Sequence, residues 1–375
     1  MALGSWFEDV GSREQLPLME EGVDQNGRHQ IGEGSPSHLA TSPTPLVEVL
    51  LATYNGERFL REQIESILAQ DYGRLCVLAR DDGSKDGTRA ILEEYVERDP
   101  QRFRMLGAGE ATGSAKGNFV RLMQASTAPY VCFADQDDVW RTWKLSLQMA
   151  KMREMEAKHG PETPLLVFSD LEIVNDRLET LHGSFWKHQR ITPERIGQLN
   201  RLLTQNVVTG CTALMNRPLV EAGMLMPGES FMHDWWIALM AAVFGAGAFL
   251  PQPTVLYRQH GANVLGAVEH ARPNLIPKWR WHVMRKRQWD VSERQARAVS
   301  RIFEGRLPRH SAEILRAFER CETSPNRVVR TGTLLWHRFL QTGVRGNLAT
   351  LWYLWDMDRA KRDEAARNIE VQVEG

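Results

Sequence analysis

The 375-residue sequence predicts an α/β protein: a mostly parallel sheet with helices on both faces, followed by a C-terminal helical extension. Three observations predict it. Short apolar runs rich in β-branched residues alternate with helix-period segments from Leu46 to Ser169, the pattern of a sheet covered on both faces. Polar turn clusters follow the ends of those runs. After residue 270, bulky apolar residues interleave with arginine.

Residues 46–51 form the first strand and stop at the turn Thr53-Tyr54-Asn55-Gly56. Leu60, Ile64, Ile67 and Leu68 fall at i, i+4, i+7 and i+8, the stripe of an amphipathic helix. Residues 75–79 are the next strand, ended by Asp81-Asp82-Gly83-Ser84, and 88–96 the next helix, ended at Asp99-Pro100. A strand over 103–106, a helix over 119–125 and buried strands over 130–134 and 165–169 complete the alternation. Residues 235–250 carry no charge, but sixteen residues fall short of the roughly 20 that span a bilayer. Gly245 and Gly247 instead suit a buried helix, a turn and a strand.

The length supports a sizeable core without disulfides or a metal staple. Cys76, Cys132, Cys211 and Cys321 are far apart and form no CxxC, which points to a reducing, cytoplasmic setting. The net charge of -1 excludes a uniformly basic nucleic-acid binder, yet it is a cancellation. Residues 1–44 hold seven acidic and two basic side chains, many Gly, Ser and Pro, and no apolar periodicity, so they read as a disordered leader. With no basic start and no apolar stretch after it, this leader is not a signal peptide. Residues 271–375 carry +9 and six of the twelve tryptophans, and the remaining residues carry -10. Three regions follow: the leader 1–44, an α/β body 45–268, and a basic, Trp-rich helical extension 269–375.

In an open parallel sheet, ligands bind outside the carboxyl ends of the strands. Thr53-Tyr54-Asn55, Asp81-Asp82 and Asp135-Gln136-Asp137-Asp138 all follow predicted strands, so they converge though distant in sequence. Three carboxylates within four residues repel one another unless a cation or donors neutralise them. Carboxylate oxygens suit Mg²⁺ or Mn²⁺, which bind through one or two carboxylates plus substrate phosphates. A solvated acidic turn capping the helix that starts near Trp140 is the plainer alternative.

These residues resemble a known family. Val49 to Gly56, Asp81-Asp82-Gly83-Ser84-Lys85-Asp86-Gly87-Thr88 and Asp135-Gln136-Asp137-Asp138-Val139-Trp140 look like family 2 glycosyltransferases of the Rossmann-like GT-A fold. Thr209-Gly210-Cys211-Thr212, His233-Asp234-Trp235-Trp236 and Tyr257-Arg258-Gln259-His260-Gly261-Ala262-Asn263 follow the order of bacterial rhamnosyltransferase-like members. The resemblance covers residues 46–268. It implies an inverting, metal-dependent transferase that takes a dTDP- or UDP-sugar, with dTDP-rhamnose foremost, to a saccharide or lipid-linked acceptor.

The resemblance also implies roles for single residues. Thr53, Tyr54, Asn55 and Glu57 would line the nucleotide pocket, with Tyr54 offering a face to the base. Asp82 would accept from the N3–H of uracil or thymine. Lys116 would approach the diphosphate, or else be a solvated lysine. Asp135 and Asp137 form the DxD pair, with Asp135 toward the nucleotide-sugar and Asp137 and Asp138 toward the metal. Asp234 would be the catalytic base, and it also reads as the N-cap of the following helix. Gly210 and Cys211 would lie near the acceptor, and Trp235 and Trp236 would stack on an acceptor sugar or pack in the core. His260 would approach the metal or diphosphate, or else be structural, as a lone histidine more often is.

The resemblance fades after Asn263. The Arg- and Trp-rich extension suits a helix lying on an anionic membrane surface, or an ordinary extension packed on the body. No motif supports a nucleic-acid partner. Two rivals make different demands. A sugar-1-phosphate nucleotidylyltransferase would carry GxGxRL where this chain has Thr53-Tyr54-Asn55-Gly56-Glu57. A membrane-bound scaffold of the same fold would have no use for its carboxylates.

Overall fold

The computed structural model describes residues 44–107, 109–260, 278–343 and 346–355, the side chains of 278–285 excepted. The expected leader, apart from Thr44, and the boundary expected at 268/269 lie outside the described residues.

The first half of the sheet is parallel. Strand β1 (Val47–Thr53) runs between β2 (Leu75–Asp81) and β4 (Tyr130–Ala134), with β3 (Phe103–Met105) beyond β2. Because side chains alternate along a strand, β1 serves two cores. Leu50 lies level with Leu78 and Phe133 on one face, and Val49 with Val77 and Cys132 on the other. Helices α1 (Leu60–Leu68) and α2 (Thr88–Arg98) cover the second face, and α3 (Ala115–Ala125) covers the first. The two-sided burial explains why β1 reads as an almost unbroken apolar run. Its one charge, Glu48, is buried and paired with Arg104.

The second half of the sheet departs from the parallel pattern. Strand β5 (Val139–Trp140) and helix α4 (Lys144–His159) follow β4, then the long strand β6 (Leu165–Val174) and the short β7 (Thr180–His182). Helices α5 (Phe185–Gln189) and α6 (Leu199–Leu202) lead to β8 (Leu214–Asn216), α7 (Arg217–Gly223), α8 (His233–Phe244) and β9 (Ala246–Arg258). Strand order is β3-β2-β1-β4-β8-β6-β9-β5, with β7 on β6. The β4–β8, β8–β6, β5–β9 and β6–β7 pairs are antiparallel, and β6–β9 is parallel. The expected parallel character therefore holds for β1 to β4, and the remainder is mixed. Strands of two or three residues carry no periodicity that would foretell this.

The uncharged stretch 235–250 is helix α8, a turn and the start of β9, as its composition predicts. Glycine is required at the turn, because a Cβ on Gly245 would lie 1.8 Å from the Pro164 carbonyl oxygen. Among the described residues, no helix is long and apolar enough to cross a membrane.

The extension is helical: α9 (Lys278–Ile302), α10 (Arg309–Thr323), α11 (Arg327–Trp336) and a further helix over 346–355. Trp289 stacks on Phe318 at 4.9 Å, and Phe303 meets Phe244 of α8 at 4.7 Å. These side chains share one core with α8, so this part of the extension packs on the body.

Candidate active site

The carboxyl ends of β1, β2 and β4 bring the three polar clusters together. Two loops are stitched to each other by hydrogen bonds. Lys85 N donates to Asn55 Oδ1 at 2.9 Å, Gly87 N to Glu57 Oε2 at 2.8 Å, and Gly56 N to Thr88 Oγ1 at 2.7 Å. Asn55 adopts a left-handed φ of 49°, which asparagine tolerates better than most residues. The Thr53 hydroxyl donates to Arg80 O and Asp81 Oδ1, each at 3.3 Å. The side chains of Thr53, Asn55 and Glu57 are thus engaged within the loops, whereas Tyr54 is 55% exposed.

Gln136, inside the acidic turn, had no role assigned from sequence. Its amide takes both backbone groups of Tyr54, accepting from N at 2.8 Å and donating to O at 2.9 Å. This locks the acidic turn to the first loop. A Cβ at Gly56 would meet Gln136 Oε1 at 2.3 Å, so glycine is needed for that approach.

Asp82 is buried and its carboxylate is fully engaged. It accepts from Arg80 Nη1 (2.6 Å), Thr112 N (2.7 Å), Gly113 N (2.9 Å) and Thr112 Oγ1 (3.0 Å). Burial opposes ionisation, but these donors prevail and hold its pKa below the usual carboxylate range. Contact with a base therefore requires exchange of the Thr112–Gly113 donors. Lys116 Nζ donates to Gly228 O and Ser230 O, both at 2.6 Å, tying α3 to the loop before α8.

The acidic turn is the electrostatic centre. Burial, with the nearby carboxylates of Asp137 and Asp234, pushes Asp135 up to about 7. Asp138 is wholly buried and raised well above the usual range, by burial first and then by Asp137 and Asp135. Its Oδ1 accepts from Arg258 N at 3.3 Å, and its Oδ2 has no hydrogen-bond partner among the described residues. Asp137 Oδ2 lies 2.9 Å from His260 Nε2, so His260 does reach the acidic turn.

Arg258 braces the turn from β9. Its Nε donates to Asp137 O at 2.9 Å, its Nη2 pairs with Glu62 at 2.5 Å, and its guanidinium lies 4.3 Å from the Phe59 ring centre. Lys144, also buried, donates to Gln148 Oε1 at 2.9 Å, with its Nζ 4.0 Å from the Trp140 ring centre.

These residues fit a hard divalent cation. Ligand-capable atoms of Asp135, Asp138 and Cys211 lie within 4.8 Å of one another. Burial, and then Asp138, raises the Cys211 thiol, and a hard cation favours the carboxylate oxygens over sulfur. Cys211 is buried and lies beside Asp135 and Asp138.

Asp234 sits in the first turn of α8 and accepts from Trp235 N at 2.6 Å. Burial pushes its pKa up to about 6, against hydrogen bonds from Trp235 and Gly210. It is close enough to Asp135 to raise the proton affinity of that residue. The two flanking tryptophans are not a sugar platform. Trp235 is buried and donates Nε1 to Leu202 O at 2.7 Å, and Trp236 is fully buried in the core. A helix apolar on all sides is buried on all sides, which settles the choice left open between stacking and packing.

Gly210 has a local cause for its size, because a Cβ there would lie 2.7 Å from His233 Nε2. His233 is held between Phe119 (4.2 Å) and Phe133 (4.8 Å), and neither ring nitrogen has a hydrogen-bond partner among the described residues. Burial lowers its pKa to about 3. The unfolded chain takes up this proton near 6.5, so stability is full above that pH and is lost as pH falls toward 3. Between pH 7.5 and 4.5, wild type should lose about 2–3 kcal/mol more than His233→Leu in urea unfolding. Equal losses would contradict the neutral buried imidazole.

Residues 48–223 match the profile described as glycosyl transferase family 2. The chain is 27% identical over 228 residues to the dTDP-rhamnosyl transferase RfbG of Shigella flexneri, covering 58% of this chain and 74% of that protein. It is 30% identical over 177 residues to the UDP-Glc:alpha-D-GlcNAc-diphosphoundecaprenol beta-1,3-glucosyltransferase WfgD of Escherichia coli, covering 47% and 62%. Of further curated relatives it spans 57% or 60% of their length. Among solved structures, the mannosyltransferase PcManGT from Pyrobaculum calidifontis, in complex with GDP-Man and Mn2+, is similar at 19% identity and a TM-score of 0.46, over 88% of this chain and 86% of that one.

The match over residues 48–223 points to a glycosyltransferase. These residues run from β1 to α7, within the α/β core and ahead of the C-terminal helices.

Proposed function

We propose that this chain is an inverting, metal-dependent glycosyltransferase that moves L-rhamnose from dTDP-rhamnose to a saccharide or lipid-linked acceptor in cell-surface polysaccharide assembly. The observation that carries this reading is the meeting of two kinds of carboxylate in one crevice. The Asp135–Asp138 turn ends β4, and Asp234 opens α8 within electrostatic reach of Asp135.

The division of labour follows from the surroundings of each group. Asp234, raised by burial, is ionised above about pH 6 and takes the proton of the acceptor hydroxyl. That hydroxyl attacks the anomeric carbon from the side opposite the departing diphosphate, which inverts the configuration. Asp135, Asp137 and Asp138 would hold a divalent cation, which supplies charge neutralisation at the diphosphate. The exposed ring of Tyr54 would stack on the base, and Asp82 would read its N3–H once the Thr112–Gly113 donors exchange. The chain would act in the cytoplasm, where nucleotide-sugars are available, at the inner face of the plasma membrane.

The similarity to RfbG, a dTDP-rhamnosyl transferase by name, supports dTDP-rhamnose as donor. The similarity to WfgD, whose name includes UDP-Glc, supports a second reading with a UDP-hexose or UDP-N-acetylhexosamine donor. Release of nucleoside diphosphate from dTDP-rhamnose, UDP-Glc and UDP-GlcNAc, each with Mg²⁺, Mn²⁺ or EDTA, separates them. Metal-dependent release from dTDP-rhamnose foremost is the expected result, and preference for a UDP-sugar selects the second reading. No release from any donor would leave a non-catalytic scaffold as the better account.

A further inference from the structure

Helix α11 wears its apolar stripe on the outside. Leu335, Val328, Gly332, Trp336 and Val329 fall on one face at helical spacing, and each is exposed, Trp336 to 84%. Arg330 and Leu334 occupy the opposite, buried face. The helix over 346–355 repeats the pattern. Leu348, Trp352 and Trp355, spaced i, i+4 and i+7, are exposed, while Tyr353 and Leu354 are buried. The two stripes are neighbours, because Arg330 Nε donates to Leu354 O at 3.0 Å and the Arg327 guanidinium lies 5.1 Å from the Trp355 ring centre. A helix facing only water carries charge on this face, and contiguous exposed apolar surface marks an interaction site.

The sequence that forms the ridge is one-sided in charge. No Asp or Glu occurs between Glu322 and Asp356, while four arginines do, of which Arg327 and Arg338 are exposed. A two-fold pairing of two copies through this surface would set arginine against arginine. Anionic phosphates satisfy both features, with indole rings at headgroup depth and guanidinium groups on phosphate oxygens.

We propose that the ridge formed by α11 and 346–355 is a docking surface for an anionic phospholipid bilayer, on which the protein lies without spanning it. This narrows the expectation made for the whole extension, since Trp289 is buried and α10 packs on the body. It also stands apart from the donor and the metal, so its failure would leave the proposed transfer reaction untouched.

The test is flotation of the full chain with phosphatidylcholine vesicles, with and without phosphatidylglycerol, at low and high salt. Wild type is expected to float only with the anionic vesicles, with a blue shift in tryptophan emission and weaker binding at high salt. Trp336→Ala combined with Trp352→Ala should abolish flotation, and Arg338→Gln should weaken it about fivefold. These side chains are exposed, so an unchanged melting temperature confirms that the variants are folded. Failure of wild type to float, equal flotation on neutral vesicles, or flotation unaltered in folded variants would overturn the proposal. So would a stable dimer in dilute solution that Trp336→Ala dissociates, because a second copy would then be the occupant.

Discussion

Asp234→Asn is expected to lower turnover by about two to four orders of magnitude while donor binding and stability stay near wild type. The asparagine oxygen can still accept from Trp235 N, so the start of α8 should be preserved. What disappears is the only feature of the site that requires ionisation at this position, a carboxylate made basic by burial. Single-turnover product formation measures the loss, and a donor-dependent shift in melting temperature measures what is kept. A pH profile sharpens the assignment. In wild type, kcat/KM should rise with pH through about 6 as Asp234 loses its proton, and this limb should vanish from the residual activity of the variant. The N-cap of α8 is Met232 and not Asp234 as expected, so if turnover survives the substitution, Asp234 serves only the first turn of the helix.

Asp137→Asn should fail at an earlier step. The variant retains an oxygen for His260 but removes one carboxylate from the acidic turn. It should therefore lose the part of donor binding that depends on the cation. For wild type at a hundredfold excess of donor over its Kd, ligand linkage adds about 2.7 kcal/mol of stability. The variant should lose most of that increment with Mg²⁺ or Mn²⁺ present, while the two unliganded proteins unfold alike. Two carboxylates, two different failures: a turnover defect at Asp234 and a binding defect at Asp137. A scaffold that merely keeps the fold would show neither.

Much of the first half of the fold was legible because its elements are local. The i, i+4, i+7 stripe of α1, the apolar runs of β1, β2 and β4, and the stop at Asp99-Pro100 all coincide with observed elements. Strand β8 was not legible, since three residues carry no period, and the direction of its pairing with β4 and β6 is a tertiary outcome. The convergence of Asn55, Asp81 and Asp135 at one sheet edge followed from topology alone. What each side chain does there did not. Asn55 and Glu57 are spent on neighbouring loop amides, Lys116 on two carbonyl groups, and Asp82 on four donors, all set by contacts between residues distant in sequence. Trp235 and Trp236 show a related limit, because an aromatic residue on an entirely apolar helix has the same sequence signature whether it binds sugar or fills a core. Gln136 and Arg258 stood within the quoted motifs, yet their bracing of the acidic turn needed coordinates to be seen. A polar residue placed inside a cluster of carboxylates was the available signal for Gln136.

The most direct measurement is a thermal-shift panel of the full chain with dTDP-rhamnose, UDP-Glc, UDP-GlcNAc and a GDP-sugar, each with Mn²⁺, Mg²⁺ or EDTA. The proposed site predicts stabilisation by pyrimidine nucleotide-sugars, greatest for dTDP-rhamnose, present with either metal and abolished by EDTA. No shift with any nucleotide-sugar, or a shift that EDTA leaves unchanged, would contradict it.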